Sequence, residues 1–187
     1  KALEKAGYGN IPVLSLNFSG LEKGNSLPMD LTFIRMALAA IYYGDLLVTL
    51  KAQTAPYEIH PGDAAALQEK WLDTICGWVH EGKGFSQQEM KAAMPKIAAE
   101  FAAIPVHRVP KVKVGVVGEI YVKYSPLGNN DLENFLATQD CEVNLPGLMG
   151  FVQYCAYNPS ETARLYGGSF LEKHISDLIL GYIAQME

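Results

Sequence analysis

Cysteine is scarce: Cys76, Cys141 and Cys155 stand far apart in 187 residues. An odd number without a CxxC pair forms neither a zinc pattern nor a disulfide framework, so the three read as free thiols of a reducing compartment, the cytoplasm. Basic charge is also short. The formal net charge of −5 argues against a nucleic-acid partner, because phosphate binding needs a basic surface. No uncharged apolar run reaches the length of a membrane span, since Arg35, Gly44 and Asp45 interrupt the most apolar region, and no membrane partner is expected. The opening "KALEKAGYGN" has no apolar core of the kind a signal peptide needs. Neither GxGxxG nor GxxxxGK[ST] occurs, which removes the two familiar glycine cradles for phosphate. Internal repeats and low-complexity tracts are missing as well.

What remains is ordinary material for a core, with 49% hydrophobic and 19% charged residues in a length that suits one domain. "KALEKAG" reads as the tail of a helix with Gly7 at C′. The closing "LEKHISDLILGYIAQME" carries no stop signal, so both ends read as cut from a longer protein. "IPVLSLNFSG" (11–20) has the pattern of a buried parallel strand. From Asp30 to about Leu50 apolar residues recur at three and four, with Asn25 or Ser26 to begin the helix and Pro28 in its first turn. "APYEIHPGD" (55–63) breaks it, and a second helix is predicted over 64–80. Ser86 and Glu89 then form a capping box before "KAAMPKIAAEF", which Pro95 should kink or split.

The clearest strand is 109–122, followed by a polar turn at 124–130, a helix at 131–138 and a strand at 141–147. Helical segments at 149–157 and 169–186 complete the chain. This order predicts an α/β fold: a small parallel sheet of about three strands, a mostly helical insertion over 28–105, a β-α-β unit over 109–158, and covering helices. The whole of 1–187 reads as a single α/β fragment.

The glycine-bearing turn after "KVKVGVVG" does not suit phosphate, because Asp131 and Glu133 would repel an anion at the helix start that Asn129 or Asn130 caps. Glu119 is the odd residue, a carboxylate at the carboxyl end of an expected parallel strand, where open α/β sheets place ligand crevices. Two readings stand side by side. Glu119 accepts backbone N–H groups and pins the loop, or it is a polar contact in a cleft with Lys123, Tyr124, Asn129 and Asn130. Asp73, Cys76 and His80 share one helical face but lack a fourth zinc ligand. Trp71 and Trp78 read as core. No local motif supports a Ser-His-Asp or Cys-His catalytic arrangement, and no catalytic or metal-binding residue is assigned.

"ALEKAGYGNIPVLSLN", "YYGDLL" followed by "APYE", and "VGVVGEIYVKYSPLGNNDLENFL" with "CEVNLPGLMGFVQYC" resemble the 2-hydroxyacyl-CoA dehydratase activase-related proteins, also called CoA-substrate-specific enzyme activases. The resemblance spans nearly the whole chain and is most specific at "GEIYVKY…NN". It implies a long cytoplasmic protein of anaerobic bacteria. One module would hydrolyse ATP with magnesium and carry a [4Fe-4S] cluster; a dehydratase-like region would follow, and together they would drive low-potential electron transfer toward a CoA thioester system. This chain resembles part of the dehydratase-like region. No cluster ligand or nucleotide site carries over, so no cofactor is expected in the chain itself. The matched positions that stand as ligand-binding or cleft candidates are Glu119, Tyr121, Lys123, Asn129 and Asn130.

The expectation is therefore a scaffold and cleft module, not catalytic alone. Its partners would be the rest of the parent chain, the activase module or dehydratase components, or a second copy. Two alternatives belong to other classes: a small-molecule-binding enzyme domain using Glu119 and His107, and a protein-interaction module presenting the apolar face of the helical excursion.

Overall fold

The computed structural model describes residues 2–8, 30–167 and 170–186, in two compact units, Lys1–Arg35 and Met36–Glu187. In the first unit helix α1, Ala2–Lys5, ends as its sequence suggests. Gly7 sits at φ 84°, Tyr8 N–H reaches the Leu3 carbonyl at 2.8 Å, and Gly7 N–H reaches that of Glu4 at 3.1 Å. This is the paired hydrogen-bond closure that a left-handed C′ glycine permits. The strand expected over 11–20, and the helix start expected at Asn25, Ser26 and Pro28, lie outside the described residues.

Helix α2, Leu31–Thr54, starts instead at Asp30, whose carboxylate accepts the Phe33 N–H at 2.7 Å. In the second unit α2 packs with α3, Asp63–His80, and α4, Gln87–Ala102. Residues four apart on α2 (Ala39, Tyr43 and Leu47) join Ala64, Trp71 and Ile75 of α3 and Met90, Ala93, Ile97 and Phe101 of α4 in one core. Spacings of three and four put each set on one helical face. Tyr43 is buried among them and donates its hydroxyl to the Gly84 carbonyl at 2.9 Å. Burial, and then the Glu89 charge, push its pKa up to about 12, so the phenol stays neutral.

Helix α4 begins with the expected capping box between Ser86 and Glu89, yet it is not split at Pro95. Pro95 and Lys91, whose carbonyl loses its partner, are both exposed. Water can satisfy that carbonyl while the opposite face stays in the core. The base of the α3–α4 excursion is closed by an antiparallel bridge between Glu58 and Val106. His107 N–H reaches the Tyr57 carbonyl there at 2.7 Å, and Ile59 N–H reaches that of Pro105 at 3.0 Å.

The stretch 31–57, α2 with the 3-10 turn Ala55–Tyr57, is long and apolar enough to cross a membrane by length and composition alone, which the sequence reading did not expect. In this structure its Asp45 serves another helix. The carboxylate accepts the N–H groups of Leu148 and Met149, both at 2.8 Å, and so caps α8, Leu148–Tyr166, from across the fold. Helix α8 runs well beyond the predicted 149–157 and continues through Pro159; both Pro159 and Cys155, four residues earlier, are exposed. It packs against α9, Phe170–Met186, where the Ser160 hydroxyl donates to Asp177 at 3.3 Å.

Among the described residues the sheet has two strands, and the third expected one, over 11–20, falls outside them. Strands β1, Lys113–Gly115, and β2, Glu142–Asn144, are parallel, with Lys113 opposite Glu142 and Gly115 opposite Asn144. The long strand predicted over 109–122 is corrected by the structure. Only three of its residues form β1. After Gly118, at φ 149°, Glu119 starts helix α5, Ile120–Tyr124. A side-chain cap and a left-handed glycine outweigh the β-branched residues in "EIYV", whose strand preference is a matter of packing context. The polar turn predicted at 124–130 holds another helical turn, α6, Pro126–Asn129, which Ser125 caps through Gly128 N–H. Helix α7, Leu132–Thr138, follows as predicted.

Candidate functional site

Glu142, the first residue of β2, is buried to 7% exposure. A buried carboxylate requires partners, and it has two. The Tyr57 hydroxyl donates to one oxygen at 2.5 Å, and the Lys113 ammonium meets the other at 2.9 Å. Sheet register makes the second contact, because Lys113 and Glu142 are opposite each other. The first depends on the 3-10 turn after α2, which the Glu58–Val106 bridge holds against the segment leading into β1.

Two further cations surround Tyr57. The Arg108 guanidinium lies 4.9 Å from the ring centroid and the Lys111 ammonium 5.7 Å from it, within reach of cation–π attraction. Arg108 also donates to the Gln53 carbonyl at 3.4 Å, and Lys111 pairs with Asp140. A cavity of about 250 Å³ runs beside this cluster between α2 and the strands, lined by Thr49, Ala52, Gln53, Lys113, Glu142 and Asn144 among others.

No protein-family model, no curated protein and no solved structure matches this chain.

The electrostatics follow from the contacts. The Tyr57 hydrogen bond first, then the one from Lys113, hold the Glu142 carboxyl below its ordinary 4.5. The same bonds raise Lys113 above its ordinary 10.5 and Tyr57 above 10.0. A carboxylate whose folded pKa is lowered contributes its full stability above the ordinary value and loses it as pH falls through the lowered one. Thermal melts between neutral pH and pH 3 should therefore show a steeper acid loss in the parent chain than in Glu142→Gln. Equal slopes would remove Glu142 from the acid response.

Chemically, this is a closed network. Tyr57 is held neutral, Lys113 charged, and both Glu142 oxygens are engaged, so the group is suited to fixing the turn and two strands in place rather than to moving a proton.

The sequence candidates sit elsewhere. Exposed Glu119 caps α5 by accepting the Val122 N–H at 3.4 Å, the loop-pinning arrangement. Tyr121 is exposed and lies over Gly128, where a Cβ would come within 2.9 Å of its ring. The Lys123 ammonium lies 4.5 Å from the Tyr124 ring centroid. Asn129 donates to the Lys123 carbonyl at 3.3 Å and accepts from Leu132 N–H at 3.2 Å. Asn130 takes the left-handed conformation at φ 56°. These five residues thus share one short helical loop whose polar contacts are largely internal.

Exposed His60 and His107 stand apart from Glu119 in sequence, and Asp73, Cys76 and His80 are all exposed on α3. Among the described residues no group of three or more His, Cys, Asp or Glu is placed to hold a metal. Cys76 on α3, Cys141 before β2 and Cys155 on α8 occupy separate elements.

Sequence reasoning missed Tyr57 and Glu142. One signal was present: Arg108, Lys111 and Lys113 form a local run of cations, and two parallel strands can set a lone acid against such a run.

Proposed function

We propose that this chain is a scaffold module of a 2-hydroxyacyl-CoA dehydratase activase-like protein, a wall of its cleft that is not catalytic alone. The observation that carries the reading is Glu142: its two oxygens are taken by Tyr57 and Lys113 of the same chain. The most buried carboxylate beside the cavity therefore works as framework. The resemblance at "GEIYVKY…NN" and "CEVNLPG" supports the choice of family, and the separate positions of the cysteines support assigning cluster chemistry to other parts of the parent.

In this reading the parent works in the cytoplasm of anaerobic bacteria, with ATP, magnesium and a [4Fe-4S] cluster held outside these residues. The partners of the module are the remainder of the parent chain, the activase module and dehydratase components. Anaerobic reconstitution followed by iron and sulfide analysis tests the assignment. The purified chain should retain no stoichiometric iron or sulfide, and a stoichiometric cluster on it would overturn the proposal.

A further inference from the structure

A second cavity lies apart from Glu142, between α3, the 83–84 connection and α4. It has a volume of about 380 Å³ and is lined by Trp71, Trp78, Lys83, Gly84, Glu89, Ala92, Ala93 and Lys96. Small-molecule sites occupy about 300–1,000 Å³ and combine aromatic walls with a few polar groups. This hollow has that make-up.

Its walls are held in place. Trp71 is 7% exposed and its indole N–H donates to Glu100 at 3.2 Å, while Glu100 also holds Lys70 at 2.8 Å. Trp78 meets Trp71 edge to face, with centroids 6.0 Å apart and planes at 70°. Tyr43 braces the other side of Trp78 at 6.3 Å and 63°. Gly84 stands at φ +80°, and a Cβ there would lie 3.0 Å from Trp78 Cε3. Only glycine lets the chain lie this closely over the indole in that conformation.

The opposite wall is small. Exposed Ala92 and buried Ala93 of α4 leave a space that larger side chains would fill. The rim carries three charges. The Glu89 carboxylate is turned to the Ser86 N–H and hydroxyl, and Lys83 pairs with Glu81 at 2.9 Å. Lys96, one helical turn beyond Ala92, is exposed and, among the described residues, forms no ion pair.

We propose that this hollow binds a flat aromatic molecule bearing one anionic group, with its ring between Trp71, Trp78 and Ala92 and its charge on Lys96. Edge-to-face contact with indoles favours an aromatic ring over an aliphatic body of equal size. An ammonium with no ion-pair partner among the described residues favours a carboxylate or phosphate beside it. The site requires nothing of the family assignment.

The chain contains two tryptophans in all, and both line this cavity, so indole emission reports it directly. The full chain would be titrated with phenylacetate and, separately, with AMP, and compared with acetate, inorganic phosphate and benzyl alcohol. A saturable emission change with phenylacetate, AMP or both is expected, and which of them acts tells a carboxylate ligand from a nucleotide. Lys96→Glu should weaken that binding about tenfold or more. Ala92→Leu, at an exposed position suited to a helix former, should fill the hollow and abolish binding while the melting temperature holds. The proposal is overturned if neither aromatic anion gives a saturable response at millimolar concentration. It is equally overturned if acetate or phosphate alone reproduces the response, or if both variants bind as the parent does.

Discussion

Truncating Phe101 to alanine is expected to lower the free energy of unfolding by about 3–5 kcal/mol. Phe101 is 2% exposed and sits in the core that joins α2, α3 and α4. Its loss removes an aromatic ring's worth of burial and leaves a void that the helices can only partly close. Domains of this kind are stable by about 5–15 kcal/mol, so a large share of the total would go. Val117, 81% exposed, supplies the comparison: Val117→Ala should stay within about 0.5 kcal/mol of the parent. Urea unfolding followed by circular dichroism reads both. If Phe101→Ala unfolds at the same urea concentration as Val117→Ala, the three-helix core is not the main source of stability.

Gly147→Ala should be nearly as damaging, for a different reason. An added Cβ would lie 2.4 Å from Asp45 Oδ2 and 2.6 Å from its Cγ. A free carboxylate could swing aside, but this one is tied to the Leu148 and Met149 N–H groups. Moving it breaks both bonds and uncaps α8. Hydrogen bonds to a charged acceptor contribute about 1.5–3 kcal/mol each, so a loss of about 2–4 kcal/mol is expected once water recovers part of it. Asp45→Ala removes the same two bonds without the clash. The double variant should therefore fall short of the sum of the two single effects by at least about 1 kcal/mol. Strict additivity would show that Gly147 is needed for something other than room for Asp45.

The Asp45–Gly147 pairing illustrates what was hard to read. Its partners are about a hundred residues apart, and Asp45 looks like an interruption in an apolar helix until α8 is placed on it. Glu142 is similar: in "CEVNLPG" it is one polar residue at a strand start, and only parallel register brings Lys113 opposite it. The error at 109–122 ran the other way. "KVKVGVVGEIYV" reads as strand by composition, but Gly118 and the Glu119 cap divide it into a three-residue strand and a helical turn.

The local grammar of the chain determined a good deal by itself. The Gly7 closure, the Ser86–Glu89 capping box, the helical faces of α3 and α4 and the helix at 132–138 each depend on groups within a few residues of one another, so short-range chemistry is enough to specify them. Tertiary structure decided which carboxylate is buried, which strand positions oppose each other, how far α8 runs, and that two tryptophans read as core also wall a hollow. Those outcomes require partners brought from distant parts of the chain, and local pattern carries no information about which partner arrives.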